Sequence, residues 1–264
     1  MIVALIDNGS LEPAAHRNLR SVAHALSART NVNVRAVSWK HSDRIADGDL
    51  DGIPAWTLAP FIRSLVALGQ REFVFVPFFI SAQGAIGSAL RRDIDALSRE
   101  AGGFELTFTD GLVDRGVVPV IVAARIRFAA TQRKLLFPPV VVVDHGGPSA
   151  SSAALRDRLT DEIRELLGRE VGPVVAASME GAHGPLLAEQ LQQPKFNQGD
   201  VLVAPLFLSP GRHAGPAGDL ETICRASSAR CHLTELVGTH PLAIDALAGA
   251  LRTTLSTRHA PILA

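Results

Sequence analysis

The sequence predicts an α/β fold made of two similar doubly wound, parallel-sheet lobes related by internal duplication. Three observations lead there. Short β-rich runs alternate with longer amphipathic ones, which implies parallel strands covered by helices on both faces. That order of runs occurs twice along the chain. The two copies also share local motifs: IVALI runs into Asp7-Asn8-Gly9 near the N-terminus, and VVVVD, Val140 to Asp144, runs into His145-Gly146-Gly147. FVFVPFFIS (Phe73 to Ser81) matches VLVAPLFLS (Val201 to Ser209), aligning Pro77 with Pro205, and FTDGLV (Phe108 to Val113) matches LTELVG (Leu233 to Gly238) just before each lobe's last helix.

In chain order the first lobe reads as the strand IVALI, a helix from Ala14 to Arg29, the strand VNVRAVSW, a helix from Ala59 to Leu68 and the strand FVFVPFF. A polar excursion, Ser42 to Trp56, makes this lobe the longer one. Phe73 to Leu90 is uncharged and long enough to raise the question of a membrane span. Pro77, Ser81, Gln83, Gly84, Gly87 and Ser88 interrupt it, so a buried strand followed by a loop is expected. The second lobe reads VVVVD, a helix from Ala150 to Leu167, VVAASM, a helix from Pro185 to Gln192, then VLVAPLFL. The boundary falls within Gln132 to Pro138, giving lobes 1–135 and 136–264.

A chain of 264 residues suits two domains of about 130 residues each. Lys plus Arg and Asp plus Glu both number 26, so no global field draws the molecule to nucleic acid or an anionic membrane. With no tyrosine, 5% aromatics and no basic cluster, nucleic acid is not an expected partner. GxGxxG and GxxxxGK[ST] are both missing, which removes the usual phosphate cradles. Cys224 and Cys231 lack CxxC spacing and make no disulfide framework, in keeping with a reducing compartment. The start MIVALIDNGS has no basic n-region and reaches Asp7 too early for a signal peptide, so a cytoplasmic location is expected. The oligomeric state stays open.

Ligands of open parallel sheets bind beyond the carboxyl ends of the strands. In the second lobe those ends carry His145, Glu180 and, beyond VLVAPLFL, Ser209-Pro-Gly-Arg-His213. The matching places in the first lobe hold Asn8, Lys40 and Ala85. A single histidine after a strand is ordinarily a loop residue and a lone strand-end glutamate is ordinarily solvated. Three such groups at equivalent strand ends of one lobe describe a site instead. Neutral imidazole is a good ligand for divalent Fe, Co, Ni and Zn, and a carboxylate beside it holds a cation or accepts a proton. His183 and His240 are loop candidates; His16, His24, His41, His232 and His259 read as surface residues.

These residues resemble the class II tetrapyrrole chelatases, the family of sirohydrochlorin ferrochelatase and cobaltochelatase, in which a strand runs into DHGS, a later strand ends in Glu and a third ends PLFLSxGxH. Here the motifs read DHGG at Asp144 to Gly147, SMEGAHGP at Ser178 to Pro185 and PLFLSPGRH at Pro205 to His213. Gly147 stands where the family has Ser, and His213 lies further from the next Asp than in the family pattern. The resemblance covers almost the whole chain as two lobes, with the site motifs in the second. It implies His145 and His213 as the metal-handling pair, Glu180 as their acidic partner, and a substrate-binding set of Gly146, Gly147, Ser209, Gly211, Arg212 and Lys40.

The implied reaction is ATP-independent insertion of Co²⁺ or Fe²⁺ into a sirohydrochlorin-like tetrapyrrole in the cleft between the lobes, with no cofactor beyond the metal substrate. Arg212 is the candidate bidentate clamp for a substrate carboxylate. Two other readings stay open: a non-catalytic metal or tetrapyrrole carrier derived from a chelatase, and a metal-dependent hydrolase in which His183 supplies a third ligand. N and O ligation suits several metals alike, so the metal is not chosen by the residues.

Overall fold

The computed structural model describes residues 1–80, 85–147 and 149–259. Strand β1 (Ile2–Asp7) is buried along Val3, Ala4, Leu5 and Ile6, and β3 (Glu72–Pro77) along Phe73 to Val76. Such continuous apolar runs, without alternation, belong to parallel strands covered on both faces. With β2 (Val34–Ser38) and β4 (Glu105–Phe108) they form a four-stranded parallel sheet in the order β2-β1-β3-β4. A second parallel sheet repeats the topology with β5 (Val140–Gly146), β6 (Val174–Glu180), β7 (Asp200–Pro205) and β8 (Arg230–Leu233), in the order β6-β5-β7-β8. The duplicated order predicted from the motifs is thus present. Thr109 and Thr234 of the FTDGLV and LTELVG segments donate their backbone N–H groups to Phe75 and Val203, continuing each sheet in the same way.

Helices α1 (Pro13–Thr30), α2 (Leu58–Ala67), α3 (Ala85–Glu100), α4 (Val118–Arg133), α5 (Ala150–Leu167), α6 (Leu187–Gln190), α7 (Asp219–Ala226) and α8 (Pro241–His259) complete the chain. Proline at the start of α1 and the left-handed Asn31 at its end are the usual helix punctuation. On one face of the first sheet α2 and α3 bury Phe61, Ile62, Leu90 and Ile94 over Phe73 and Phe75, with Phe73 meeting Phe104 edge to face. The corresponding face of the second sheet buries Leu187, Phe196 and Leu220 over Val141, Val143 and Val203. None of the described helices is long and apolar enough to cross a membrane.

The chain packs as two units, Met1–Arg115 with Pro241–Ala264 and Gly116–His240. These are not the sequence halves 1–135 and 136–264. Helix α4 packs on α5 and α8 packs on α1, so each half's last helix joins the unit built on the other half's sheet. Helix α4 is apolar around much of its circumference, and its residues alone do not say which sheet it will cover.

Several local expectations change. Strand β7 stops at Pro205, short of Leu208, because Pro205 pairs with Val143 as the last ladder partner and offers no N–H to extend it. The helix expected over Pro185 to Gln192 shortens to four residues. The loop expected after β3 gives way to α3 from Ala85, whereas Ser81, Gln83 and Gly84 lie outside the described residues. The polar excursion holds two short 3-10 turns, Ser42–Arg44 and Asp47–Leu50, over which Arg20 donates to the carbonyls of Leu50, Ile53 and Pro54. His24 and His41 are exposed as expected. His232 is half-buried, with Nε2 2.8 Å from Asp200, and the side chain of His259 lies outside the described residues.

His16 is the main correction. It sits on the inward face of α1 with Ala15, Leu19 and Ala23, 2% exposed, and its Nδ1 is 3.4 Å from the buried Ser38 hydroxyl. Burial, with the nearby Arg20 charge, pushes its pKa down to about 4, so the ring is neutral. Beside it Asp7 is half-buried, its Oδ1 enclosed and, among the described residues, without a partner, and desolvation pushes its pKa up to about 6 against hydrogen bonds from Ser38 and Gly9. A carboxyl whose folded pKa is raised lends stability below its unfolded pKa of 3.8 and loses it as pH rises through 6, a loss of about 3 kcal/mol by pH 8. His16 acts in the opposite sense, losing stability as pH falls from 6.5 to about 4. Asp7→Asn isolates the carboxyl. It should stabilise the protein by about 1–3 kcal/mol at pH 8 and leave pH 3.5 unchanged in denaturant titrations; the same change at both pH values would contradict this account.

Candidate metal-handling site

In the order β6-β5-β7-β8 the chain reverses its direction of travel between β5 and β7, and the ends of those neighbouring strands flank the crevice where α/β sheets bind ligands. Register puts Asp144 opposite Ser178 and Gly146 opposite Glu180. At Gly146 the two backbones nearly touch: a Cβ there would fall 1.8 Å from the carbonyl oxygen of Glu180, and φ is +81°. Only glycine permits this approach. The turn leaves the His145 side chain exposed beside Glu180, with Nδ1 3.5 Å from Oε1. Asp144, preceding it, is half-buried and accepts a 2.6 Å hydrogen bond from Ser178. Burial raises its pKa, while the Ser178 hydroxyl and the charge of Arg156 pull it back.

His213 arrives by another route. Beyond Pro205 the chain makes a looped excursion to α7, tied by Gly215 N–H to the Gly211 carbonyl at 2.7 Å and by Leu220 N–H to the His213 carbonyl at 3.0 Å. The side chain, 16% exposed, meets His145 edge to face with ring centroids 4.6 Å apart, and Phe207 lies 6.2 Å away on another side. Its Nδ1 is 2.7 Å from Oδ2 of Asp219, the first residue of α7. A nitrogen facing a carboxylate carries the ring's proton, so Nε2 is the lone-pair donor. The same reasoning applies to His145, whose Nδ1 faces the Gly146 carbonyl at 3.2 Å.

The structure therefore brings His145, Glu180 and His213 together. Gly146 closes β5 beside His145 with Gly147 next in the chain, and Ser209, Gly211 and Arg212 lie on the excursion that carries His213. Arg212 is 81% exposed, its Nε 3.5 Å from the Asp219 carboxylate that also holds His213. Lys40 belongs to the other unit, where its ammonium lies 3.2 Å from Asp93 and 4.1 Å above the Trp39 ring, beside a cavity of about 550 Å³. Among the described residues no three His, Cys, Asp or Glu side chains gather as a group able to hold a metal. What the geometry offers is a pair of imidazoles with a carboxylate against Nδ1 of each, the placement of groups that orient ligands. Asp219 escaped the sequence reading because it is reached over a loop; its signal is an acidic residue opening a helix soon after a candidate histidine.

Residues 139–254 match the CbiX family model. No curated protein sequence matches the chain. Among solved structures, SirB from Bacillus subtilis with Fe³⁺ superposes with a TM-score of 0.68 at 13% identity, covering 98% of this chain and 97% of that one. CbiX, described as the terminal enzyme of siroheme biosynthesis in denitrifying bacteria, gives 0.64 at 17% identity, with 96% and 97% covered. The cobalt complex of the sirohydrochlorin chelatase SirB from Bacillus subtilis subspecies spizizenii gives 0.63 at 15%, with 97% of each chain covered. At these identities the likeness to the solved structures is one of fold.

If Asp219 orients His213, Asp219→Asn should weaken Co²⁺ binding by about 10–100-fold with little change in Tm, read from the visible spectrum of the Co²⁺-loaded protein. Unchanged affinity would mean that the His213–Asp219 contact is structural only. The two-lobed chain has the fold of the sirohydrochlorin chelatase structures, and its second half, residues 139–254, matches the CbiX family model.

Proposed function

We propose that the protein inserts a divalent metal, Co²⁺ or Fe²⁺, into a sirohydrochlorin-like tetrapyrrole without ATP. The observation that carries this reading is the His145–His213 pair at the switch point, each ring with Nδ1 engaged and Nε2 left as donor. The macrocycle binds M²⁺ through its four nitrogens and releases two pyrrole protons, so the protein must hold a partly desolvated ion at one face and supply acceptors. Histidine serves both needs near neutral pH. His145 and His213 hold the incoming ion and pass the protons on. Glu180 stabilises positive charge on His145, and Asp219 does the same for His213. Arg212, largely exposed, binds a substrate carboxylate.

The test is an anaerobic absorbance assay of sirohydrochlorin with Co²⁺ or Fe²⁺ and catalytic amounts of protein. Multiple turnovers support an enzyme; stoichiometric binding without turnover supports the carrier. In the enzyme, His145→Ala and His213→Ala each lower kcat by about 100-fold or more, and the double variant is little worse than either, as expected of groups acting as one unit. Near wild-type rates in both single variants would sink the assignment.

The proposed substrate contact of Lys40 requires its ammonium to leave Asp93, an exposed pair of small worth. Lys40→Ala should raise KM about 3–10-fold at low salt, less at high salt, with kcat nearly constant. Identical kinetics at low salt would confine the first lobe to a scaffold role.

A further inference from the structure

We propose that Arg156 is the positioning residue of the His145–Glu180 half of the site, its buried guanidinium pinning the loop after Glu180 to the end of β5. This rests on the chelatase reading for its kinetic consequence, though not for its structural one. Arg156 lies on the face of α5 that also buries Leu159, Thr160, Ile163 and Leu167, and its side chain is 2% exposed. Burying a guanidinium there is costly, and an apolar side chain would pack the same face more cheaply. The contacts show what the charge is used for.

Nη1 donates to the Ser178 hydroxyl at 2.5 Å and to the His183 carbonyl at 3.0 Å, while Nε and Nη2 donate to Oδ1 of Asp157. Ser178 passes the link on by donating to Asp144, the residue before His145. One group thus joins the tip of β5 to the segment that leaves Glu180, the two elements whose spacing sets the His145–Glu180 contact. The loop is shaped around it: a Cβ at Gly184, where φ is +112°, would fall 2.6 Å from Nη2.

The duplicated unit serves as an internal comparison. There the neutral His16 stands beside Ser38, and Arg20 reaches the carbonyls of Leu50, Ile53 and Pro54 instead. The β1 and β2 tips there carry Asn8 and Lys40, with neither an imidazole nor a carboxylate at those two positions. The buried cation accompanies the unit whose strand tips carry the imidazole and the carboxylate.

The test uses the full chain with Arg156→Met, Arg156→Lys and Gly184→Ala. Hydrogen exchange of the amides at residues 181–184 is measured without metal, Co²⁺ binding from its visible spectrum without tetrapyrrole, and kcat and KM in the insertion assay. Arg156→Met should speed exchange in that loop at least about tenfold relative to the core strands, weaken Co²⁺ binding, and lower kcat about 10–100-fold with little change in KM. Arg156→Lys, which keeps the charge but loses the fork, should recover part of each. Gly184→Ala, which keeps Arg156 but obstructs its seat, should reproduce the loop exchange, and it decides the matter if Arg156→Met fails to fold. Wild-type loop exchange in Gly184→Ala or in folded Arg156→Met overturns the proposal. A fall in Tm with unchanged loop exchange and kcat also overturns it, because that is what a purely structural arginine gives. If the wild-type chain inserts no metal, the chelatase reading fails while the exchange and Co²⁺ measurements still decide the role of Arg156.

Discussion

The backbone of Gly146 presses against the carbonyl of Glu180 so closely that no side chain fits between them, and Gly9 meets Lys40 the same way, with a Cβ there falling 1.7 Å from the carbonyl oxygen. Each crossing ends the pairing of two parallel strands and turns the chain outward, leaving the residue before the glycine at the sheet's ligand-binding edge. The residue is His145 in one unit and Asn8 in the other. The geometry therefore belongs to the fold, and the chemistry belongs to whatever occupies it. Duplication copied the geometry; only the second unit places two imidazoles on it.

Around this crossing the rest of the second unit acts as a mount. Val140 to Val143 and Val201 to Ala204 are fully buried, so the two strands whose ends carry the site are held from both faces. His213 has no strand to hold it and is held instead by backbone hydrogen bonds within its loop and by Asp219 at the head of α7. Beneath the tips, each unit holds a half-buried aspartate that takes a hydrogen bond from a serine on the neighbouring strand, Asp144 from Ser178 and Asp7 from Ser38. Asp144 has Arg156 nearby. Asp7 has the neutral His16 imidazole and the Ser42 hydroxyl near Ser38, and among the described residues its Oδ1 has no partner.

Much of this was legible in the sequence for definite reasons. Unbroken apolar runs such as VVVV and FVFV report strands covered on both faces, and the repeated motifs reported the duplication, so the common topology of the two sheets followed. His145, Glu180 and His213 were legible because strand ends locate ligands in such sheets. Other features depend on long-range packing. The exchange of α4 and α8 between units leaves no local mark, since either sheet accepts an apolar helix. Asp219 lies across a loop whose fold is set by its own hydrogen bonds. Arg156 reads as a surface residue on a helix unless its spacing to Leu159, Thr160 and Ile163 is taken to place it inside. His16 hid the same way, on the inward face of α1.

We infer that metal handling resides in the His145–His213 pair of the second unit. A Co²⁺-soaked crystal measured at the cobalt edge tests it most directly. An anomalous peak is expected about 2.1 Å from Nε2 of both His145 and His213, with Glu180 and Asp219 remaining on the Nδ1 side. A peak in the first unit beside Asn8 or Lys40, or none between the two imidazoles at saturating Co²⁺, would contradict it.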